Sequence, residues 1–162
     1  CLEKDEFVTI PGYYNYSFSK MAWNGGVNTN VGDPISAGTA YLYYQFAKGI
    51  LSGYVYTPGS ERVSSARFLQ EAIWFLEEEI DLYPVTVSGT YANAFVNAAI
   101  SKFGSLVNAR ADANGMFGVK VINLTTLNGG LAQDQLYLPE PGTLLLLGMG
   151  FLGLATLRRC RR

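Results

Sequence analysis

Gly118-Val119-Lys120-Val121-Ile122-Asn123-Leu124, then Asn128-Gly129, then Leu131 to Leu138, is the stretch whose reading decides the fold. The two runs read as strands on either side of an Asn-Gly pair, and that pair accepts the positive φ angles of a tight hairpin turn. Two strands therefore close the body of the chain. At the other end, Phe7-Val8-Thr9-Ile10 reads as a strand and Pro11-Gly12 as a turn. Tyr14, Tyr16 and Phe18 alternate with Asn15 and Ser17 in a second, half-buried strand, which predicts a hairpin beginning next to Cys1.

Helical periodicity fills the middle. Asn24 to Asn30 is a loop by composition, and Asp33-Pro34 offers a helix start with Asp at the cap and Pro in the first turn. Ala37, Ala40, Tyr41, Tyr44, Ala47 and Leu51 follow helical spacing. A second helix starts near Ser60, keeps Ala66, Leu69, Ile73, Leu76 and Ile80 on one face, and stops around Glu77-Glu78-Glu79, where three acids meet the unfavourable end of the helix dipole. A third runs from about Thr90 to Phe103 through Ala92, Phe95, Val96 and Ala99. The order strands, helices, strands predicts an α+β domain: terminal strands and hairpins form a sheet, a three-helix insert covers it, and a single apolar helix follows at the C-terminus.

The chain has 162 residues, 49% of them hydrophobic and 15% charged, with no His and two Cys. Residues 1–137 carry eight Lys/Arg against twelve Asp/Glu, a net charge of −4, so no basic stretch there could neutralise a run of phosphates and nucleic-acid binding is not expected. Without imidazole there is no Ser-His-Asp or Cys-His nucleophile system and little scope for a zinc or non-haem iron site, so neither a metal nor another cofactor is expected. A first residue of Cys rather than Met implies a processed chain or a fragment, with any signal peptide out of view.

Composition changes sharply after the polar segment Ala132-Gln133-Asp134-Gln135. Pro139-Glu140-Pro141 is followed by an uncharged run, residues 143–157 (TLLLLGMGFLGLATL), which stops at Arg158, Arg159, Cys160, Arg161 and Arg162. As a helix the run spans about 22 Å, short of a hydrocarbon core but extendable by snorkelling arginines. It is apolar all round, unlike an amphipathic core helix, and the positive-inside rule leaves the arginines in the cytoplasm. Two domains follow: an exported body over 1–137 and a tail over 138–162.

The Pro-Glu-Pro signature, short apolar helix and arginine cluster, in that order, resemble the PEP-CTERM sorting signal of exported bacterial proteins. That resemblance implies a Gram-negative-type, polysaccharide-producing cell, a membrane-embedded exosortase that cuts near Pro139-Glu140-Pro141, and a transmembrane helix that serves as a temporary anchor.

Cys160 falls on the cytoplasmic side of that helix, so Cys1 has no partner in the body for an intramolecular disulfide. An intermolecular or free thiol, a lipidated first residue of a lipoprotein, and a thiol consumed in another covalent bond all remain open. Gln70 sits beside the apolar face of the second helix in Phe68-Leu69-Gln70-Glu71-Ala72-Ile73-Trp74; taken alone it is most simply a half-buried, hydrogen-bonded amide. Together, Cys1-Leu2-Glu3 with Pro11 downstream and Leu-Gln-x-Ala-Ile-Trp on a helix resemble the thioester domains of bacterial surface adhesins. The resemblance implies an internal thioester between Cys1 and Gln70, with Trp74, one turn beyond Gln70, as the shield against water.

The expectation is an exported cell-surface or matrix protein, not an enzyme, that attaches covalently to an amine- or hydroxyl-bearing partner in adhesion or in a biofilm. A non-covalent, carbohydrate-contacting protein of an exopolysaccharide matrix, using Tyr13, Tyr41, Tyr43 and Tyr44 as stacking surfaces, is the alternative. A lipoprotein lipidated at Cys1 is the second.

Overall fold

A computed structural model describes residues 1–23, 32–80 and 91–139. The C-terminal hairpin forms around its Asn-Gly turn signal. β4 (Lys120–Thr126) and β5 (Leu131–Tyr137) run antiparallel, and Gly129 takes a φ of 83° in the turn, a value that residues with a side chain rarely adopt. β1 (Tyr14–Ser19) pairs with the other edge of β4, from Tyr14 opposite Thr126 to Ser19 opposite Val121, so the sheet order is β1-β4-β5. The two ends of the body thus meet in one sheet, as the strand–helix–strand order predicts.

The N-terminal hairpin does not form. Residues 7–10 are not a strand: Phe7 and Ile10 are 77% and 88% exposed, and the Thr9 N–H donates to the Tyr14 hydroxyl at 2.7 Å. β1 draws its partner from 102 to 112 residues further on instead, because β4 offers a full-length ladder whereas Pro11 and Gly12 interrupt a local one. Nor is β1 half-buried; none of its residues is buried. The helices cover the β4–β5 end of the sheet, where Val121 and Leu136 join the core, and leave β1 outside.

The helical insert holds four helices among the described residues rather than three. α1 is Ala37–Ala47, α2 Ser60–Leu76, α3 Tyr91–Phe103 and α4 the short Leu106–Arg110. Asp33-Pro34 does not start α1. It forms β3, paired with β2 (Met21–Ala22), and the cap is Ser36, whose hydroxyl accepts the Thr39 N–H at 3.1 Å. α1 also stops at Ala47, with Gly49 at a φ of 73°, so Leu51 reaches the core from the following loop. α2 ends where its three acids begin; Glu77 is the C-cap and Glu78 turns left-handed at a φ of 62°.

Leu42, Leu69, Ile73, Leu76, Phe95, Val96 and Val121 build the core, and the alanines and Gly38 set its spacing. A methyl group on Gly38 would stand 3.0 Å from the Ala109 carbonyl, 3.1 Å from Leu76 and 3.2 Å from the Ala99 Cβ. Glycine at this position lets α1 approach three other helices at once without pushing any of them back. The expected apolar helix over 143–157, Glu140, Pro141 and the arginine cluster lie outside the described residues. Among those that are described, no helix is long and apolar enough to cross a membrane.

Candidate functional site

The site begins with a short segment that has no secondary structure of its own. The Leu2 N–H donates to the Asp134 carbonyl at 3.0 Å, Gln133 Nε2 donates to the Glu3 carbonyl at 2.6 Å, and the Asp134 N–H donates to Glu3 Oε2 at 2.7 Å. These bonds lay residues 1–3 along the outer edge of β5, with Leu2 and Glu3 buried. Asp134 in turn ties this edge to the rest of the body. Its carboxylate accepts the Trp23 N–H at 2.8 Å, Asn123 Nδ2 at 2.6 Å and the Leu124 N–H at 2.9 Å, the last where the β4–β5 register shifts between Ile122 and Leu124. A buried carboxylate is tolerated here because backbone and amide donors replace its water.

The segment is held so that Cys1 faces α2. Gln70 Nε2 donates to the Cys1 carbonyl at 2.8 Å, and its Oε1 accepts the Cys1 N–H at 3.1 Å. The Cys1 thiol lies 3.0 Å from that same Oε1. The two side chains named from sequence, 69 positions apart, are therefore in contact, and the amide is fixed at both ends by the backbone of the residue that carries the thiol. A thiol S–H directed at a carbonyl oxygen polarises the carbonyl, and hydrogen bonding at the amide nitrogen holds the plane of the group.

Both residues line a cavity of about 250 Å³ whose apolar wall comes from Tyr43 and Phe46 of α1, Tyr54, Leu69 and Ile73 of α2, and Leu136 of β5. Phe46 and Tyr54 stack edge to face at 4.9 Å, and Tyr56 adds a third ring 4.7 Å from Tyr54. Burial raises the Tyr43 hydroxyl above the ordinary tyrosine value, so it stays neutral and can donate. Trp74 does not line this cavity. It is half-buried one turn further along α2, and its buried indole N–H has no partner among the described residues. The rings beside Cys1 and Gln70 belong to α1 and the loop after it, a contact that helical spacing within α2 could not show.

The alternative stacking surface is largely committed elsewhere. Tyr41 packs on Phe103 and Phe117 at 6.2 and 5.8 Å, and Tyr44 on Phe117 at 5.4 Å, while Tyr13 is exposed.

Three carboxyl groups among the described residues have raised pKa values. Burial, followed by the negative charge of Asp134, lifts Glu3 to about 8, so at neutral pH it holds its proton against β5. Across the molecule, a second cavity of about 310 Å³ is lined by Asp33, Ser36, Glu77, Glu78, Arg110 and Asp112 among others. Burial raises Glu77, whose Oε1 accepts both the Ser36 N–H at 3.0 Å and its hydroxyl at 2.7 Å. Burial and then the charge of Glu77 lift Asp33 to about 7. Arg110 closes this recess, donating to Glu78 and to the Phe75 carbonyl while its guanidinium lies over the Phe75 ring.

Sequence reasoning missed Gln133, Asp134 and Gln135 as parts of the site. A polar triplet inside a strand, flanked by residues that are otherwise apolar, was the available signal; Gln135 lines the cavity and the other two hold residues 2 and 3. No curated protein and no solved structure matches the chain. The family model described as the PEP-CTERM protein-sorting motif matches residues 138–162, which makes this an exported, exosortase-targeted protein that is transiently anchored in the membrane.

Proposed function

We propose that the body is a thioester-bearing attachment domain, in which Cys1 and Gln70 form an internal acyl bond that a partner later takes over. The observation that carries this reading is the Cys1 thiol 3.0 Å from Gln70 Oε1, on an amide already locked by two further bonds to Cys1. In the first step the sulfur attacks the Gln70 carbonyl carbon; a C–S bond forms, the C–N bond breaks, and the thiol proton leaves with the amide nitrogen as ammonia. The product is a thioester with every atom accounted for. Fixed geometry supplies the acceleration that a histidine base would otherwise provide, since holding two groups in contact replaces a bimolecular encounter.

In the second step an amine or hydroxyl on the partner attacks the same carbon, the C–S bond breaks, and the proton returns to sulfur. Gln70 is left in a new amide or ester bond and Cys1 as a free thiol. Until then the aromatic wall of Tyr43, Phe46 and Tyr54 limits water at the acyl carbon. The partner class is an amine- or hydroxyl-bearing surface or matrix component, encountered after export.

Incubating the full chain with a small primary amine and mapping the adduct by peptide mass tests the reading. The amine is expected on Gln70 alone, with none in Cys1→Ala. Labelling spread over other glutamines, or persisting in Cys1→Ala, contradicts it.

A further inference from the structure

The solvent face of the sheet carries aromatic rings that the core does not need. Tyr16 and Phe18 are 67% and 53% exposed, their rings 5.5 Å apart, and Phe18 meets Tyr137 of β5 at 5.3 Å. Ile122 and Leu124, directly opposite Phe18 and Tyr16 on β4, are half-buried on the same face. Lys120, paired with Tyr137, and Lys20, which follows β1, are exposed at the end of the strip where the chain leaves β5.

The position of the strip along the chain identifies what it faces. Tyr137 stands six residues before Thr143, the first residue of the apolar run, so even a fully extended connection keeps the two within about 20 Å. While the sorting motif holds the chain in the bilayer, this end of the sheet has to remain at the membrane surface. Tyr and Phe rings with flanking lysines are the side chains that suit the headgroup layer, where one end of a group is wet and the other apolar, and lysines favour anionic lipid. A short tether also converts a contact too weak for free association into an occupied one.

We propose that the Tyr16–Phe18–Tyr137 face rests on the bilayer interface while the chain is anchored, presenting the Pro139-Glu140-Pro141 segment at a fixed height for cutting, and comes free once the tail is removed. The full chain carrying Phe18→Trp is reconstituted in nanodiscs of phosphatidylcholine and phosphatidylglycerol with brominated acyl chains, next to Val63→Trp on the exposed surface of α2. The added emission in Phe18→Trp is expected to be quenched at least about twofold more than that in Val63→Trp. Equal quenching overturns the proposal. So does a blue shift without quenching that appears only in discs holding two copies, which identifies the face as an interface between chains. Tyr16→Trp provides a second probe, expected to behave as Phe18→Trp does, should that variant fold poorly.

Discussion

β1 and β5 flank the same central strand, are nearly equal in length and pair with it antiparallel, yet they meet opposite environments. β5 buries Ala132, Gln133, Asp134 and Leu136, whereas β1 buries nothing. The difference lies in what covers each one. The outer edge of β5 is occupied by residues 1–3 and its inner face by the helices; β1 has no strand on its outer edge among the described residues and carries a solvent face of aromatic rings. Burial of polar residues is therefore no accident of β5: Gln133 and Asp134 are the groups that fasten the N-terminal segment, and through it Cys1, to the sheet. One edge builds the candidate reactive site, and the other is left for a surface.

Breaking that contrast is most damaging at Asp134. Asp134→Ala removes the acceptor for three donors, one of them the buried Asn123 amide, so it is expected to cost about 3–5 kcal/mol in denaturant unfolding, while the backbone bonds of position 134 to residues 2 and 3 are kept. Gly38→Ala disturbs the helical side alone. The new methyl must displace the Ala109 carbonyl or Leu76, for about 1–3 kcal/mol, and the sheet register should survive in amide hydrogen exchange.

A smaller effect follows pH. Glu3 is protonated in the folded state up to about 8 but ionises near 4.5 when unfolded, so unfolding releases its proton between those values. Its contribution to stability is greatest below the lower value, falls as pH rises towards 8 and is then flat; Asp33, at about 7, adds in the same direction. Glu3→Gln keeps an acceptor for the Asp134 N–H and should flatten part of the slope, seen as a smaller difference in Tm between about pH 5 and about pH 9. Phe18→Ser, on the open strand, is expected to change stability in water by less than about 0.5 kcal/mol.

The same contrast explains what could be read along the chain. α2 and the Asn128-Gly129 hairpin follow from local periodicity and turn chemistry, and both stand as expected. Gln70 and Cys1 were identified by their motifs, and they meet. The strand expected over Phe7–Ile10 failed because alternation reports a half-buried face only if some layer covers it, and among the described residues Phe7 and Ile10 stay exposed. The cap is Ser36, three positions after the expected Asp33. The choice of Ser36 depends on Glu77, more than forty residues away, which accepts from its backbone and hydroxyl. Asp134 reads as a surface residue until Glu3, Trp23 and Asn123 are placed around it. Contacts across 100 residues or more carry no local periodicity.

Intact mass of the purified full chain tests the central claim most directly. A chain lighter than its sequence by one ammonia, restored to a heavier adduct by methylamine and found at full mass in Cys1→Ala, is the predicted result. Full sequence mass with a freely titratable Cys1 thiol would contradict it.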